Sequence, residues 1–174
     1  RTMLDRMLET ARKVGERVVV SGPPDLVPGL RHVLDERVDA GPVAGIEAVL
    51  KSGIDDCYLF VPCDMPGLNT VVLRRLVEGV DRTTAAIFKH PGNHARAVLP
   101  LAIRSAALPH VERIIRSGGR SIHQLLEDLD VAEIALGAEE SSVLININSP
   151  SLLSQAGRIS SGLNATTIPK TSVI

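Results

Sequence analysis

The segment "LFVPCDMPGLN" (59–69) carries an apolar run into Cys63, Asp64, Met65 and Pro66. Leu59, Phe60 and Val61 read as a buried β-strand. Aspartate is disfavoured in strands and proline lacks the N–H that a ladder needs, so the strand ends here with a carboxylate just beyond it. An unpaired buried charge is costly. Asp64 therefore calls either for a turn whose N–H groups bond it or for a cation.

Working outward, "GPVAGIEAVLKSG" (41–53) starts with a glycine and a proline suited to a turn entering a helix, because the first helical turn has no use for the missing N–H. Ile46, Val49 and Leu50 supply that helix with its apolar side. On the other flank, "NTVVLRRLVEGV" (69–80) predicts a helix capped by Asn69 or Thr70. The same alternation continues in both directions. Met3, Leu4, Met7, Leu8, Ala11 and Val14 recur at helical spacing before Gly15, and "RVVVSG" (17–22) then reads as a buried strand. "RHVLD" (31–35) is a weaker strand. "TAAIFK" (84–89) and "AVLPLAI" (97–103) flank "HPGNHA" (90–95), a turn-rich segment predicting a hairpin or excursion. Residues 105–129 divide at Gly118 and Gly119 into two helices. "VAEIAL" (131–136) and "VLININ" (143–148) read as strands, and Ser149-Pro150 opens a last short helix. Strands alternating with helices predict a Rossmann-like three-layer α/β/α fold with a mostly parallel sheet.

Composition agrees with that class. The chain has 174 residues, 44% hydrophobic and 22% charged, enough for one domain with a substantial core. Aromatics are only 2% and tryptophan is absent, so Val, Leu, Ile and Ala must fill a sheet covered on both faces. A formal net charge of −1 argues against nucleic-acid or membrane partners, which need a concentrated basic face. Two cysteines six positions apart along one strand favour a reduced, cytoplasmic protein. No apolar run approaches the ~20 residues that cross a bilayer. The domain is expected over 1–158, with "ISSGLNATTIPKTSVI" (159–174) as a tail or linker.

In open α/β sheets the ligand site lies beyond the carboxyl ends of the strands. Ser21, Asp35, Asp64 and the 146–148 segment, with Asn146 and Asn148, occupy such ends. Oxygen-rich clusters of this kind suit Mg2+ held by one or two carboxylates together with water and substrate phosphate. The Gly-Pro loop opening the helix at 42 adds backbone amides that can receive a nucleotide.

Four blocks, "LDERVDAGPVAGIEAVL" (34–50), "CYLFVPCDMPGLNTVVLRRL" (57–76), "SGGRSIHQLL" (117–126) and "VLININSPSLL" (143–153), resemble successive motifs of the molybdenum cofactor guanylyltransferases. These belong to the nucleotidyltransferases built on a GT-A-like Rossmann sheet. The resemblance implies transfer of GMP from GTP to molybdopterin with release of pyrophosphate and with Mg2+ as cofactor. By the same resemblance Asp64 is the Mg2+ ligand and catalytic carboxylate, Asp35 contacts the guanine nucleotide, and the backbone of Gly41, Pro42 and Gly45 lines the nucleotide pocket. Ser21 falls where an asparagine contact is common, and Asn146 and Asn148 fall near the pterin end. Such chemistry rests on positioning and charge neutralisation, without a covalent protein nucleophile.

Two departures stand out. The family opens with a strand and a Leu-Ala-Gly-Gly loop that grips the triphosphate, whereas the first helix here matches the one after that loop; a missing central strand is therefore expected, and with it an incomplete record of a longer protein. In "VLPLAI" (98–103), the family more often has His-Pro: either Leu99 replaces the histidine or His94 has shifted in the alignment. Cytidylyl transfer to the same pterin and a non-catalytic nucleotide-binding paralogue are the alternatives. His32, His90, His94, His110 and His123 lack metal-ligand spacing. Cys57 and Cys63 read as packing residues, and among the helical arginines Arg120, after Gly118-Gly119, has a case for phosphate or pterin contact.

Overall fold

The computed structural model describes residues 2–21, 27–34, 37, 41–92, 95–145 and 172–173. Helix α1 (Met3–Val14) is opened by a capping box in which Thr2 Oγ1 accepts from Asp5 N and Thr2 N donates to Asp5 Oδ2. Its apolar stripe buries Met7, Ala11 and Val14. Strands β1 (Arg17–Ser21) and β2 (Arg31–Val33) follow, then α2 (Pro42–Lys51) and β3 (Cys57–Phe60). Helix α3 (Thr70–Gly79) starts at Asn69, whose side chain accepts from Val72 N at 3.1 Å, so Asn69 is the cap. Strands β4 (Ala85–Lys89) and β5 (Arg96–Arg104) form the expected hairpin, closed by His90 N donating to Ala95 O at 2.8 Å. Helices α4 (Leu108–Arg116) and α5 (Ile122–Glu127) and strand β6 (Val131–Ala135) complete the alternation, and β7 (Ser172–Val173) adds two residues.

The seven strands run in the order β2-β1-β7-β3-β5-β4-β6. Four of the six pairings are parallel, while β5 is antiparallel to both β3 and β4. Side chains alternate across the sheet as a period of two requires. Leu59, Ala86, Phe88 and Ala102 pack with α1 and α3, whereas Tyr58, Ala85, Ile87, Leu101 and Ile103 pack with α2, α4 and α5. The three-layer α/β/α expectation holds. No described helix is long and apolar enough to cross a membrane.

Two segments differ from expectation. "VLININ" reads as a strand, but Val143 and Leu144 end a 3-10 helix, Ala138–Leu144, and residues from 146 to the segment's end lie outside the described residues. The local cause is Glu140. Its Oε2 accepts Gly137 N at 2.9 Å and both carboxylate oxygens accept Arg75 Nη1, closing a helical turn where apolar pattern alone suggests extension. The second difference concerns the segment read as a tail. Ser172 and Val173 pair in parallel with Arg17 and Val18 on one side and with Tyr58 and Leu59 on the other, in the centre of the sheet. The helix expected at Ser149-Pro150 lies outside the described residues.

Candidate active site

A cavity of about 480 Å3 opens where β1 and β3 end. Ser21 lies at the end of β1, and Phe60, Val61, Pro62 and Cys63 continue β3 along a second wall. Helix α2 contributes Gly41, Pro42 and Gly45, and Met7 and Ala11 of α1 close the cavity beneath. The walls are mostly apolar. The structure thus gathers four sequence-predicted residues, Ser21, Gly41, Pro42 and Gly45, around one space. Ser21 Oγ lies 3.3 Å from where a Cβ on Gly45 would stand, so that glycine lets the hydroxyl rest against α2.

Gly41 explains how α2 enters the site. With φ at 67° it occupies the left-handed region, and a Cβ there would meet the Arg120 carbonyl oxygen at 2.7 Å. The β2–α2 connection and the α4–α5 turn therefore touch backbone to backbone. Among the described residues no side chain caps α2; Pro42 has no N–H and Ala44 N donates to Gly41 O at 3.1 Å, so Val43 N–H is left at this helix start without a described partner. Arg120 is exposed at this lip; among the described residues its backbone N–H donates to Gln124 Oε1 at 3.2 Å and its side chain makes no hydrogen bond.

Asp64 follows Cys63 directly and sits half-buried in the turn after β3. Among the described residues none donates a hydrogen bond to its carboxylate, so no Asx-turn bond from them engages it. What fixes the turn lies on either side. Met65 and Leu68 are buried, and Leu68 N donates to Met65 O at 3.2 Å. A Cβ on Gly67 would stand 2.8 Å from Ser142 O and 2.9 Å from Val143 Cα, so this turn lies flush against the 3-10 helix that leads to the 146–148 segment. Asp35, Asn146, Asn148 and His94 lie outside the described residues. Among the described residues no group of three or more His, Cys, Asp or Glu side chains is placed to hold a metal. One uncommitted carboxylate still fits Mg2+, which takes most of its ligands from water and phosphate.

Leu99, noted in the sequence as a departure from the family, lines the cavity and makes an apolar contact there. One feature was missed at the level of sequence. Glu47, on α2, is the buried charged residue among those described, at 3% exposure. Arg37 grips both its carboxylate oxygens and Lys51 Nζ lies 2.7 Å from Oε1. Burial works against the Glu47 charge, yet the Arg37 and Lys51 donors outweigh it and hold the carboxyl below its ordinary value. The Glu47–Lys51 spacing of i,i+4 was the available signal, although the same spacing marks many exposed pairs.

Comparison with known proteins agrees with this architecture. The family described as the MobA-like NTP transferase domain matches residues 1–134. The molybdenum cofactor guanylyltransferase of Vibrio campbellii is 30% identical over 121 residues, covering 70% of this chain and 61% of that protein. That of Aliivibrio salmonicida is 26% identical over 161 residues, covering 90% of this chain and 82% of that protein. Among solved structures, molybdopterin-guanine dinucleotide biosynthesis protein A from Archaeoglobus fulgidus superposes with a TM-score of 0.73 at 24% identity, over 91% of this chain and 85% of that chain. The chain thus spans about three fifths of the length of the Vibrio campbellii relative. With the family match running from α1 into β6, the chain belongs to the MobA-like NTP transferase family.

Proposed function

We propose that the protein transfers GMP from GTP to molybdopterin, releasing pyrophosphate, with Mg2+ as the assisting cation. The observation that carries this reading is the half-buried carboxylate of Asp64, which no described residue engages. It stands one residue from a cavity that collects the uncapped start of α2 and the end of β1. The cavity volume lies within the usual range for small-molecule sites, and its apolar walls suit the flat face of a base. The guanylyltransferase relatives supply the choice of reaction.

In this reading the chain's own groups act by placement. Helix α2 directs the positive end of its dipole, with the Val43 N–H of its first turn, at the nucleotide phosphates. Gly41 permits that approach by leaving out the Cβ that would strike Arg120 O. The exposed Arg120 guanidinium stands at the same lip to offset phosphate charge, and Asp64 holds the cation from the end of β3. Bound there, Mg2+ supplies charge neutralisation for the α-phosphate and the departing pyrophosphate. Asp35 meets the guanine, and Asn146 and Asn148 meet the pterin.

The test is pyrophosphate release by the complete protein given molybdopterin and GTP, CTP or ATP, with and without Mg2+. GTP-selective, Mg2+-dependent release that is lost in Asp64→Ala supports the reading. Equal release by Asp64→Ala, or a preference for CTP, overturns it.

A further inference from the structure

We infer that Arg75 is a positioning residue for Asp64: by gripping Glu140 from α3 it sets the 3-10 helix Ala138–Leu144 against the turn that carries the Asp64 carboxylate. This rests on the reading of Asp64 as the group that holds Mg2+, and adds to it a residue outside the cavity.

The turn after β3 is centred on Pro66 and Gly67 and spanned by the hydrogen bond from Leu68 N to Met65 O. A Pro-Gly pair in a turn commonly uses the left-handed freedom of the glycine. Gly67 does not, since its φ lies outside that region. What its missing Cβ provides is space, and the main chain of the 3-10 helix at Ser142 and Val143 takes it. Gly67 is three positions beyond Asp64. Whatever holds the 3-10 helix in place therefore also limits where the carboxylate can stand.

Arg75 is the side chain that does so. Its Nη1 donates to both Glu140 oxygens, at 2.9 and 2.8 Å, and its Nη2 donates to Ala135 O at 2.7 Å, where β6 ends. Glu140 accepts Gly137 N as well, so one carboxylate closes the start of the 3-10 helix and ties it to α3. The Gly137 amide and the Arg75 guanidinium outweigh burial and hold the Glu140 carboxyl below its ordinary value, which keeps it charged near neutrality. From Glu140 to Val143 the 3-10 helix rises by about 6 Å. On the other side Asn69 caps α3 two positions after Gly67, and α3 carries Arg75 back to Glu140. The Asp64 turn, α3 and the 3-10 helix thus form a ring that the Arg75–Glu140 pair closes.

Apolar packing alone keeps these segments together, because Met65, Leu68, Val143 and Leu144 share one core cluster. The ion pair is too exposed to add much stability, at 33% and 31%. Its contribution is orientation, since a planar guanidinium fixes direction as well as distance. Mg2+ demands near-ideal octahedral geometry, so a displaced carboxylate holds it less well even though the group itself remains.

The experiment uses the complete protein. Titration calorimetry of GTP at graded Mg2+ concentrations gives the Mg2+ requirement for binding, and amide hydrogen exchange reads the turn at Leu68. Arg75→Ala should raise the Mg2+ concentration for half-maximal GTP binding by about tenfold and speed exchange at Leu68 by about tenfold, with exchange at Ile103 unchanged. Turnover at saturating Mg2+ stays within about threefold, because Asp64 is retained. Arg75→Lys, which keeps the charge but loses the fork, recovers part of the Mg2+ requirement. Glu140→Gln keeps an acceptor for Gly137 N–H and reproduces the Arg75→Ala effect, and the double variant goes no further than the larger single. Should Arg75→Ala fail to fold, Glu140→Gln carries the test. An unchanged Mg2+ requirement in the variants, faster exchange at Ile103 as well as Leu68, or multiplying effects in the double would each overturn the positioning role alone. Absence of Mg2+-dependent GTP binding by the unaltered protein, or an Asp64→Ala variant with the parent's Mg2+ requirement, would instead overturn the metal-holding reading and the positioning role with it.

Discussion

The two halves of the sheet are built to different standards. Every residue of β3 is buried, and Leu101, Ala102 and Ile103 of β5 have no solvent exposure, because this half is covered by helices on both faces. In β1 only Val19 of five residues is buried, and β2 has none. Among the described residues the halves are hydrogen-bonded to each other only through Ser172 and Val173 of β7. The closed half carries Asp64 in the turn after β3 and one wall of the cavity, while the open half supplies the facing wall. In the proposed reading the ligand sits where packing stops, with its metal-holding carboxylate mounted on the side where packing is complete.

The contrast is most directly broken by paired core truncations. Leu101→Ala should cost about 3–5 kcal/mol in urea unfolding, whereas Val20→Ala, on the half-buried strand, should cost less than about 1 kcal/mol; equal losses would mean that both halves are packed alike. Asp64→Ala should lower Mg2+-dependent pyrophosphate release by about a hundredfold, near 2.7 kcal/mol, with an unchanged urea midpoint. Ser21→Ala, on the open half, should change it by less than about threefold.

Val173→Pro sharpens the contrast by attacking the seam. Removing an N–H and restricting the backbone in a central strand should lower hydrogen-exchange protection at Val18 and Val19 by about tenfold and leave Ala86 and Ile103 unchanged. The smallest effect concerns acid. Glu47 has its carboxyl lowered below 4.5, so its contribution is complete above that unfolded value and disappears as pH falls through the lower folded one. The stabilities of the parent and of Glu47→Gln should therefore differ near neutrality and converge below pH 4.5, measured by urea unfolding across that range.

Much of this was legible in the sequence because the signals were local. The β-branched run at 17–21 and the apolar run before Asp64 announced strands, and Asn69 and Ser121 marked helix starts with side chains that do cap. The place of Ser21 followed from the rule that α/β sites sit at strand ends, and that of Gly41, Pro42 and Gly45 was implied by the family resemblance. What the sequence hid was non-local. Val143 and Leu144 look like strand residues until Arg75, sixty-five positions away from Glu140, secures the turn before them. Ser172 and Val173 gain strand character only from partners on β1 and β3. Glu47 shows nothing in one dimension that separates a buried hub from a solvated helical acid.

The flush contact at Gly67 has a mechanical consequence. Because the acid-bearing turn and the 3-10 helix meet main chain to main chain, neither can shift without pushing the other. Any redesign aimed at a different acceptor must therefore transplant 63–69 and 138–145 as one cassette. A methyl group at position 67 would act as a wedge between them, driving the Asp64 turn and the 3-10 helix apart in a single step.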